Sequence, residues 1–161
     1  MDSIEVGCIA LMSIHPQYAN AIVEGTKRVE FRKRPLARNV THVIVYATAP
    51  VKAVVAAFEV SGQYVSSPAD LWRQFRAVAG IQKRDFFAYY ADSSLGAGIE
   101  VGRVLTPSEP LSLSDDFGIA RPPQSYQYLQ EKVPEAFTTT EGEIISLNHP
   151  EQQLSLLAVP V

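Results

Sequence analysis

The stretch SIHPQYANAIVEGTKRVEFRKR, from Ser13 to Arg34, decides the fold of this chain. It opens at the end of an apolar run, Ile9–Ile14, that is suited to a buried strand. Pro16 then favours the first turn of a helix, and Gly25 is placed to end that helix in a left-handed conformation. The sequence therefore predicts a strand followed at once by a short helix of about two turns.

A second strand follows the glycine, and its polar face is unusually ionic. In RVEFRKR, Val29 and Phe31 alternate with charged side chains, which is the period of a half-buried strand. The alternation places Arg28, Glu30, Arg32 and Arg34 together on the other face.

Charge is concentrated in the same region. The chain carries 14 Lys and Arg against 17 Asp and Glu, a net charge of −3. The basic segment, which we define as Lys27–Arg38, holds six of the 14 basic residues and one acid, so it is +5 and the remainder is −8. A concentrated patch of this kind attracts phosphates, but it is equally typical of an edge strand whose charges prevent sheet pairing. Charge alone leaves both interpretations open.

The rest of the chain predicts an α+β fold. Two runs rich in β-branched residues, His42–Thr48 and Ala53–Val60, are expected to be neighbouring strands. Helical periodicity begins at Pro68 and again near Asp85, which indicates an αα insertion, and strand signals resume at Gly98–Leu105. Together these elements predict a mixed, closed or partly closed β-barrel with a short N-terminal helix. We expect one domain over residues 1–130 and an acidic extension over residues 131–161, ending in a strand (LSLLAVPV), that packs on the same domain.

Composition excludes several classes of protein. At 161 residues and 47% apolar content the chain can bury one complete core, and no apolar run is long enough to cross a bilayer. The N-terminus lacks the basic flank of a secretion signal, so we expect a cytoplasmic protein. Cys8 is the single cysteine, and the histidines do not have zinc-ligand spacing. The sequence therefore predicts neither a metal site nor a cofactor.

Four ordered blocks of sequence resemble the ASCH domain family, a group of PUA-like β-barrels. The first block is the Ser13–Arg34 stretch, with matches that include Lys27, Glu30 and Phe31. The second is YATAPVKAVVAAFEV, the third is DLWRQF with GIQKRDFFAYY, and the fourth is RPPQSYQYL. The resemblance spans about Ile9 to Leu129 and implies a PUA-like barrel whose cleft, between barrel and helices, accepts RNA or modified nucleobases and nucleosides.

The resemblance also implies two enzymatic alternatives. Certain small family members hydrolyse the amide of N4-acetylcytidine with a lysine after the glycine turn and a threonine three positions on, and ribonuclease activity is attributed to others. Here Lys27 occupies the lysine position, but Glu30 occupies the threonine position. Attack by a carboxylate would give a mixed anhydride, so this substitution weakens the amidohydrolase hypothesis.

Lys27 and Glu30 are nevertheless the candidate catalytic pair. Residues three apart on a regular strand face opposite sides, so both can reach one cleft only if Lys27 lies in the turn after Gly25 or a bulge intervenes. If they meet, Glu30 favours the charged form of Lys27, whereas neighbouring arginines oppose it. A structural ion pair, ligand binding and catalysis all remain open for this pair.

Further candidate binding residues surround them. Arg28, Arg32, Lys33 and Arg34 could contact phosphates, and arginine can do so in a bidentate manner. Gln124 and Ser125 could read a base edge or cap a turn, and Tyr126 could stack on a base. The remaining candidates are Ser13 and His15 at the first strand and Glu59, a second carboxylate in the F-E-V element. Other tyrosines and Trp72 are expected mainly in cores.

Three hypotheses follow for function. The first is binding of RNA or a nucleoside-like small molecule through a basic-rimmed cleft, with no membrane involved. The second is a hydrolase on acylated nucleosides, or a ribonuclease, that uses Lys27 and Glu30. The third is an adaptor whose acidic extension binds a protein partner.

Overall fold

The computed structural model describes residues 8–129 and the backbone of residues 136–139 and 144–146. Within these ranges the predicted α+β fold is confirmed, with one mixed eight-stranded sheet and four α-helices. In chain order the elements are β1 (Cys8–Ile14), α1 (Pro16–Glu24), β2 (Val29–Arg32), β3 (Val40–Ala47), β4 (Ala53–Ser66), α2 (Pro68–Phe75), a 3-10 turn (Arg76–Val78), α3 (Lys83–Tyr89), β5 (Gly96–Thr106), α4 (Leu113–Phe117), β6 (Tyr126–Leu129), β7 (Ala136–Thr139) and β8 (Ile144–Ser146).

The sheet runs in the order β6-β1-β3-β4-β5-β7-β8, with β2 paired to β5. The β1–β3 pair is parallel, and the remaining pairs are antiparallel. β2 and β7 share one edge of β5, where β2 pairs with Ala97–Glu100 and β7 with Leu105 and Thr106. The long strand β4 contains register shifts between Phe58 and Gly62, and such irregularities bend a strand and increase its twist. The sheet accordingly curls into a half-barrel.

Both faces of the central strands are buried, which explains the continuous apolar runs in β1 and β3. Met12 and Val45 face a core that α1 covers with Ile22, while Leu11 and Ile44 face a second core on the other side. A strand that alternates between two cores has no polar face, so its sequence reads as an unbroken apolar segment.

The αα insertion is confirmed between β4 and β5. Ser67 caps α2 by accepting a hydrogen bond from the backbone N–H of Asp70, and Pro68 occupies the first turn. Phe86 of α3 packs edge-on against Phe31 of β2, with ring centroids 4.8 Å apart. These two rings belong to a third core, which packs the αα insertion against β2.

Several element boundaries differ from the predicted ones. β2 ends at Arg32, because Lys33 and Arg34 lie beyond the segment that pairs with β5. β4 extends to Ser66, past the predicted end at Val60, because it pairs with β5 along most of its length. The helix α4 and the strand β6 lie in a proline-punctuated stretch where local signals gave no regular structure.

Part of the predicted C-terminal extension is outside the described residues. β7 pairs with β5 and β8 pairs with β7, but the predicted terminal strand LSLLAVPV falls outside the ranges above. In the described part of the chain, no helix is long and apolar enough to cross a membrane.

Candidate functional site

A cavity of about 470 Å³ lies where β1, α1, β2 and α3 meet. Its volume is within the roughly 300–1,000 Å³ typical of small-molecule sites. We call it the inner cavity; its polar and charged lining residues are Ser13, His15, Tyr18, Lys27, Glu30, Arg32, Thr48, Asp85, Tyr89 and Gln124.

Lys27 lies in the turn between Gly25 and β2, as the sequence required for it to meet Glu30. Gly25 ends α1 with φ of 86°, and the chain then delivers Lys27 into the protein rather than to solvent. The Lys27 side chain is only 2% exposed. Its Nζ donates a 2.6 Å hydrogen bond to the carbonyl oxygen of Ala79 and lies 3.8 Å from Oε2 of Glu30. The lysine and the carboxylate therefore belong to one buried group.

Arg32 completes this group from the far end of β2. Its Nη2 lies 3.2 Å from Oε1 of Glu30 and donates a 2.9 Å hydrogen bond to the carbonyl oxygen of Ser13. Its Nη1 donates to Oγ of Ser125 at 3.1 Å. Within the described part of the chain, the buried Nε has no hydrogen-bond partner. We call Lys27, Glu30 and Arg32 the buried charge cluster.

The buried charge cluster has two cationic groups and one carboxylate. Burial lowers the pKa of Lys27, and the Arg32 charge lowers it further, while Glu30 opposes both effects by raising it. A second carboxylate, Asp85, also lines the cavity, and its Oδ1 lies 3.6 Å from Nε of Arg84. An anionic group is therefore favoured beside Arg32 and disfavoured beside Asp85.

Two tyrosines add aromatic surface to the cavity. The Tyr18 ring centroid lies 5.2 Å from the Nζ of Lys27, within the range of a cation–π interaction. Tyr89 of α3 lines the cavity as well, and Lys33 Nζ lies 5.3 Å from its ring centroid. Burial raises the pKa of the Tyr89 phenol, so this side chain stays protonated and can donate a hydrogen bond at neutral pH.

The structure brings some of the sequence-predicted residues to the cavity and leaves others away from it. Ser13, His15 and Gln124 line it beside the buried charge cluster, and Ser125 contacts it indirectly through Arg32. Ser13 also donates a 2.6 Å hydrogen bond to the carbonyl oxygen of Pro123, which holds the closing loop against β1.

Besides Ser125, five predicted residues do not line the inner cavity. Tyr126 packs against the main core and Tyr128, and Arg28 is half-buried, with its backbone hydrogen-bonded to Val78 and Val101. Lys33 and Arg34 are exposed beyond the end of β2.

The fifth, Glu59, lies on β4 opposite His42. Burial raises its pKa, with a smaller opposing effect from Arg103. Glu59 is not among the residues that line the inner cavity.

Some lining residues were missed by the sequence analysis as site residues. Tyr18, Thr48 and Asp85 line the cavity, although the sequence did not mark them as candidate site residues. The sequence offered one usable signal for Tyr18. It is an aromatic residue in the first turn of α1, directly after β1, and this position lies near the turn that holds Lys27. No local signal marks Asp85, because it lies on α3 of the αα insertion, far from β2 in sequence.

Comparison with known proteins agrees with this architecture. The chain is 27% identical over 139 residues to the ASCH domain-containing ribonuclease of Zymomonas mobilis, covering 84% of this chain and 93% of that protein. The crystal structure of ASCH from Zymomonas mobilis superposes with a TM-score of 0.69 at 26% identity, covering 76% of this chain and 88% of that one. A tyrosine-to-phenylalanine mutant of the same protein gives the same score and covers 91% of its chain.

A further relative is a larger protein. The large ribosomal subunit protein uL22 of Ureaplasma parvum is 26% identical over 121 residues, and the match covers 74% of this chain. This chain spans only 39% of the length of that ribosomal protein. The ASCH domain itself matches residues 12–113, which include the buried charge cluster and the αα insertion. The chain therefore belongs to the ASCH domain family.

Proposed function

We propose that the inner cavity of this protein binds one unpaired nucleotide of an RNA chain, or a free nucleoside-like molecule. The observation that carries the proposal is the buried charge cluster, which places two cationic groups against one carboxylate beside two tyrosines. Unpaired bases are recognised by stacking on aromatic side chains and by hydrogen bonds to their edges. The family and the ribonuclease among its relatives support a role related to RNA.

Each part of the cavity has a task in this proposal. Arg32 is held by Ser13 and Ser125, so its guanidinium is fixed and can contact a phosphate or a base carbonyl with little loss of side-chain freedom. Tyr18 and Tyr89 supply stacking surfaces. Gln124 offers both a donor and an acceptor to a base edge.

The test is binding of a fluorescently labelled single-stranded RNA, followed by anisotropy at several salt concentrations. We expect affinity to fall as salt rises, and Arg32→Gln to weaken binding by about tenfold or more, as for loss of one buried charged contact. Arg73→Ala is the matched control, because Arg73 is an exposed arginine on α2 that does not line the cavity. Absence of salt-dependent binding to RNA, together with absence of binding to any nucleoside, would overturn the proposal.

Cleavage of RNA is the second candidate, and the lowered pKa of Lys27 beside Glu30 favours it. In such a reaction the ribose 2′-hydroxyl attacks the adjacent phosphorus, and the bond from phosphorus to the 5′-oxygen breaks. The 2′-hydroxyl loses a proton and the 5′-oxygen gains one. Glu30 would accept the proton of the 2′-hydroxyl, the ammonium of Lys27 would donate a proton to the 5′-oxygen, and Arg32 would stabilise charge on the phosphoryl oxygens. Cleavage of RNA by wild type that disappears in Lys27→Met and Glu30→Gln, with the fold intact, is the expected result; unchanged cleavage would refute these assignments.

The amidohydrolase hypothesis has weaker support, because a carboxylate stands where the resembling enzymes carry a threonine hydroxyl. Incubation with N4-acetylcytidine tests it directly. The acidic extension that could bind a protein partner falls largely outside the described residues, so the adaptor hypothesis stays a prediction.

A further inference from the structure

A second pocket lies beside the inner cavity. That pocket, of about 390 Å³, lies between α1 and the start of α3 and shares Tyr18, Ile81 and Asp85 with the inner cavity. Its other lining residues are Gln17, Gly80, Gln82 and Arg84, and we call it the outer pocket. Because the two spaces share three lining residues, they are adjacent on the protein surface.

The two spaces differ in chemistry. The inner cavity surrounds the buried charge cluster, whereas the outer pocket is a more open depression with two amide side chains and one guanidinium. Amides of Gln17 and Gln82 can each donate and accept hydrogen bonds, which suits the edge of a base but not an apolar ligand. The outer pocket is therefore matched to a polar group attached to whatever occupies the inner cavity.

Arg84 and Asp85 determine where a negative charge can lie. The Arg84 side chain is 85% exposed, and its Nε is 3.6 Å from Oδ1 of Asp85. This pairing uses one edge of the guanidinium and leaves the two terminal nitrogens for a ligand. Asp85 stands at the boundary between the two spaces and repels a phosphate there, so a phosphate is favoured on the Arg84 side.

We propose that the outer pocket binds a second nucleotide, covalently joined to the one in the inner cavity, with Arg84 contacting the phosphate and Gln17 and Gln82 contacting the base. This inference rests on the proposed function and deepens it, since it makes the preferred ligand an RNA chain rather than a free nucleoside. Asp85, at the junction, accepts a hydrogen bond from a ribose hydroxyl.

The test compares ligands of increasing length. Mixed-sequence single-stranded RNAs of one, two and four nucleotides are titrated into the full chain by calorimetry. We expect a rise in affinity of about tenfold from one nucleotide to two, as expected for one added stacked or hydrogen-bonded base. Arg84→Ala should weaken binding of the two-nucleotide RNA about fivefold, which is the effect of one exposed charge contact. It should leave mononucleotide binding unchanged.

Arg73→Ala is the matched control. Both arginines are exposed and paired with an aspartate on their own helix, but Arg73 lines neither space. Arg73→Ala should therefore leave every affinity unchanged.

The outcomes separate the two proposals. If one nucleotide binds and two bind no more tightly, the outer pocket is overturned and the inner cavity stands. If the rise persists in the combined variant Gln17→Ala, Arg84→Ala, the second nucleotide lies elsewhere and the assignment is again overturned. If no length binds, the proposed function fails, and this inference fails with it.

Discussion

The two halves of the basic segment behave in opposite ways. Lys27 and Arg32 point into the protein and share Glu30, whereas Lys33, Arg34 and Arg38 are exposed after β2 ends. One run of similar residues thus divides into a buried site and a solvent-facing rim. In the proposed function, Lys27 and Arg32 contact the ligand in the cavity, and the exposed Lys33, Arg34 and Arg38 attract it.

The largest expected effect on stability follows from removing the Glu30 carboxylate, which Lys27 and Arg32 share. Glu30→Gln leaves Lys27 and Arg32 without their shared counterion at a site where both side chains are mostly buried. Breaking a buried ion pair from one side costs about 3–5 kcal/mol. We expect a loss of roughly 3 kcal/mol in the free energy of unfolding, measured by urea denaturation.

Asp70→Asn is the control for that measurement. It breaks an ion pair with Arg73 whose distance is only 2.7 Å but whose partners are exposed. Solvent screens such a pair, so its loss should change stability little. Equal losses in Glu30→Gln and Asp70→Asn would contradict the distinction between buried and exposed charges.

A second effect should come from the loop that holds Lys27. Gly80 has a φ of 60°, and a Cβ there would overlap Cβ of Lys27. Gly80→Ala should therefore combine backbone strain of about 1 kcal/mol with an overpacking loss of about 1–3 kcal/mol, measured as a lower free energy of unfolding. It should also weaken RNA binding by displacing the lysine.

Gly118→Ala isolates the backbone contribution. Gly118 has a similar φ of 68°, but a Cβ there meets nothing within 4 Å. Gly118→Ala should therefore lower the free energy of unfolding only by the backbone strain, and RNA binding should be unaffected. If Gly80→Ala is no more destabilising than Gly118→Ala, the close packing of the loop on Lys27 is wrong.

A pH series reports the electrostatics of Lys27. Because burial lowers its folded-state pKa below the ordinary 10.5, the unfolded state binds more protons between the two values. The stability of wild type relative to Lys27→Met should therefore rise with pH as it approaches 10.5 from below. Urea denaturation of both proteins across that range checks the sign, and a flat or falling difference would show that the pKa of Lys27 is not lowered.

The smallest effects on stability are expected for substitutions of the exposed Lys33, Arg34 and Arg38. Arg34→Ala should change the free energy of unfolding by less than about 0.5 kcal/mol, because the side chain is exposed. If Arg34 contacts a phosphate of a longer RNA, the slope of log affinity against log salt should fall by about one. A loss of stability comparable with that of Glu30→Gln would contradict the division of the segment.

Local patterns were sufficient for most of the fold. The helix α1 and its glycine end, the pairing of β3 with β4 and the αα insertion were all predictable, because proline, glycine and periodicity act over a few residues. The pairing of β2 with β5 and the short elements α4 and β6 were not, since each depends on contacts between segments distant in sequence.

The site was predictable only in part for the same reason. The turn after Gly25 allowed the Lys27–Glu30 contact to be anticipated. The backbone acceptor of Lys27 at Ala79 and the lining residue Asp85 come from the insertion, which no local rule places against β2. The cavity is thus a product of the tertiary fold, whereas its charged residues come from one strand.

The most direct test of the central claim is a titration of the labelled protein with the four ribonucleoside 5′-monophosphates and a short single-stranded RNA, followed by NMR. We expect the largest shifts in residues that line the inner cavity, notably Tyr18, Lys27 and Arg32. Shifts confined to the exposed Lys33, Arg34 and Arg38, with the cavity residues unperturbed at saturation, would contradict it.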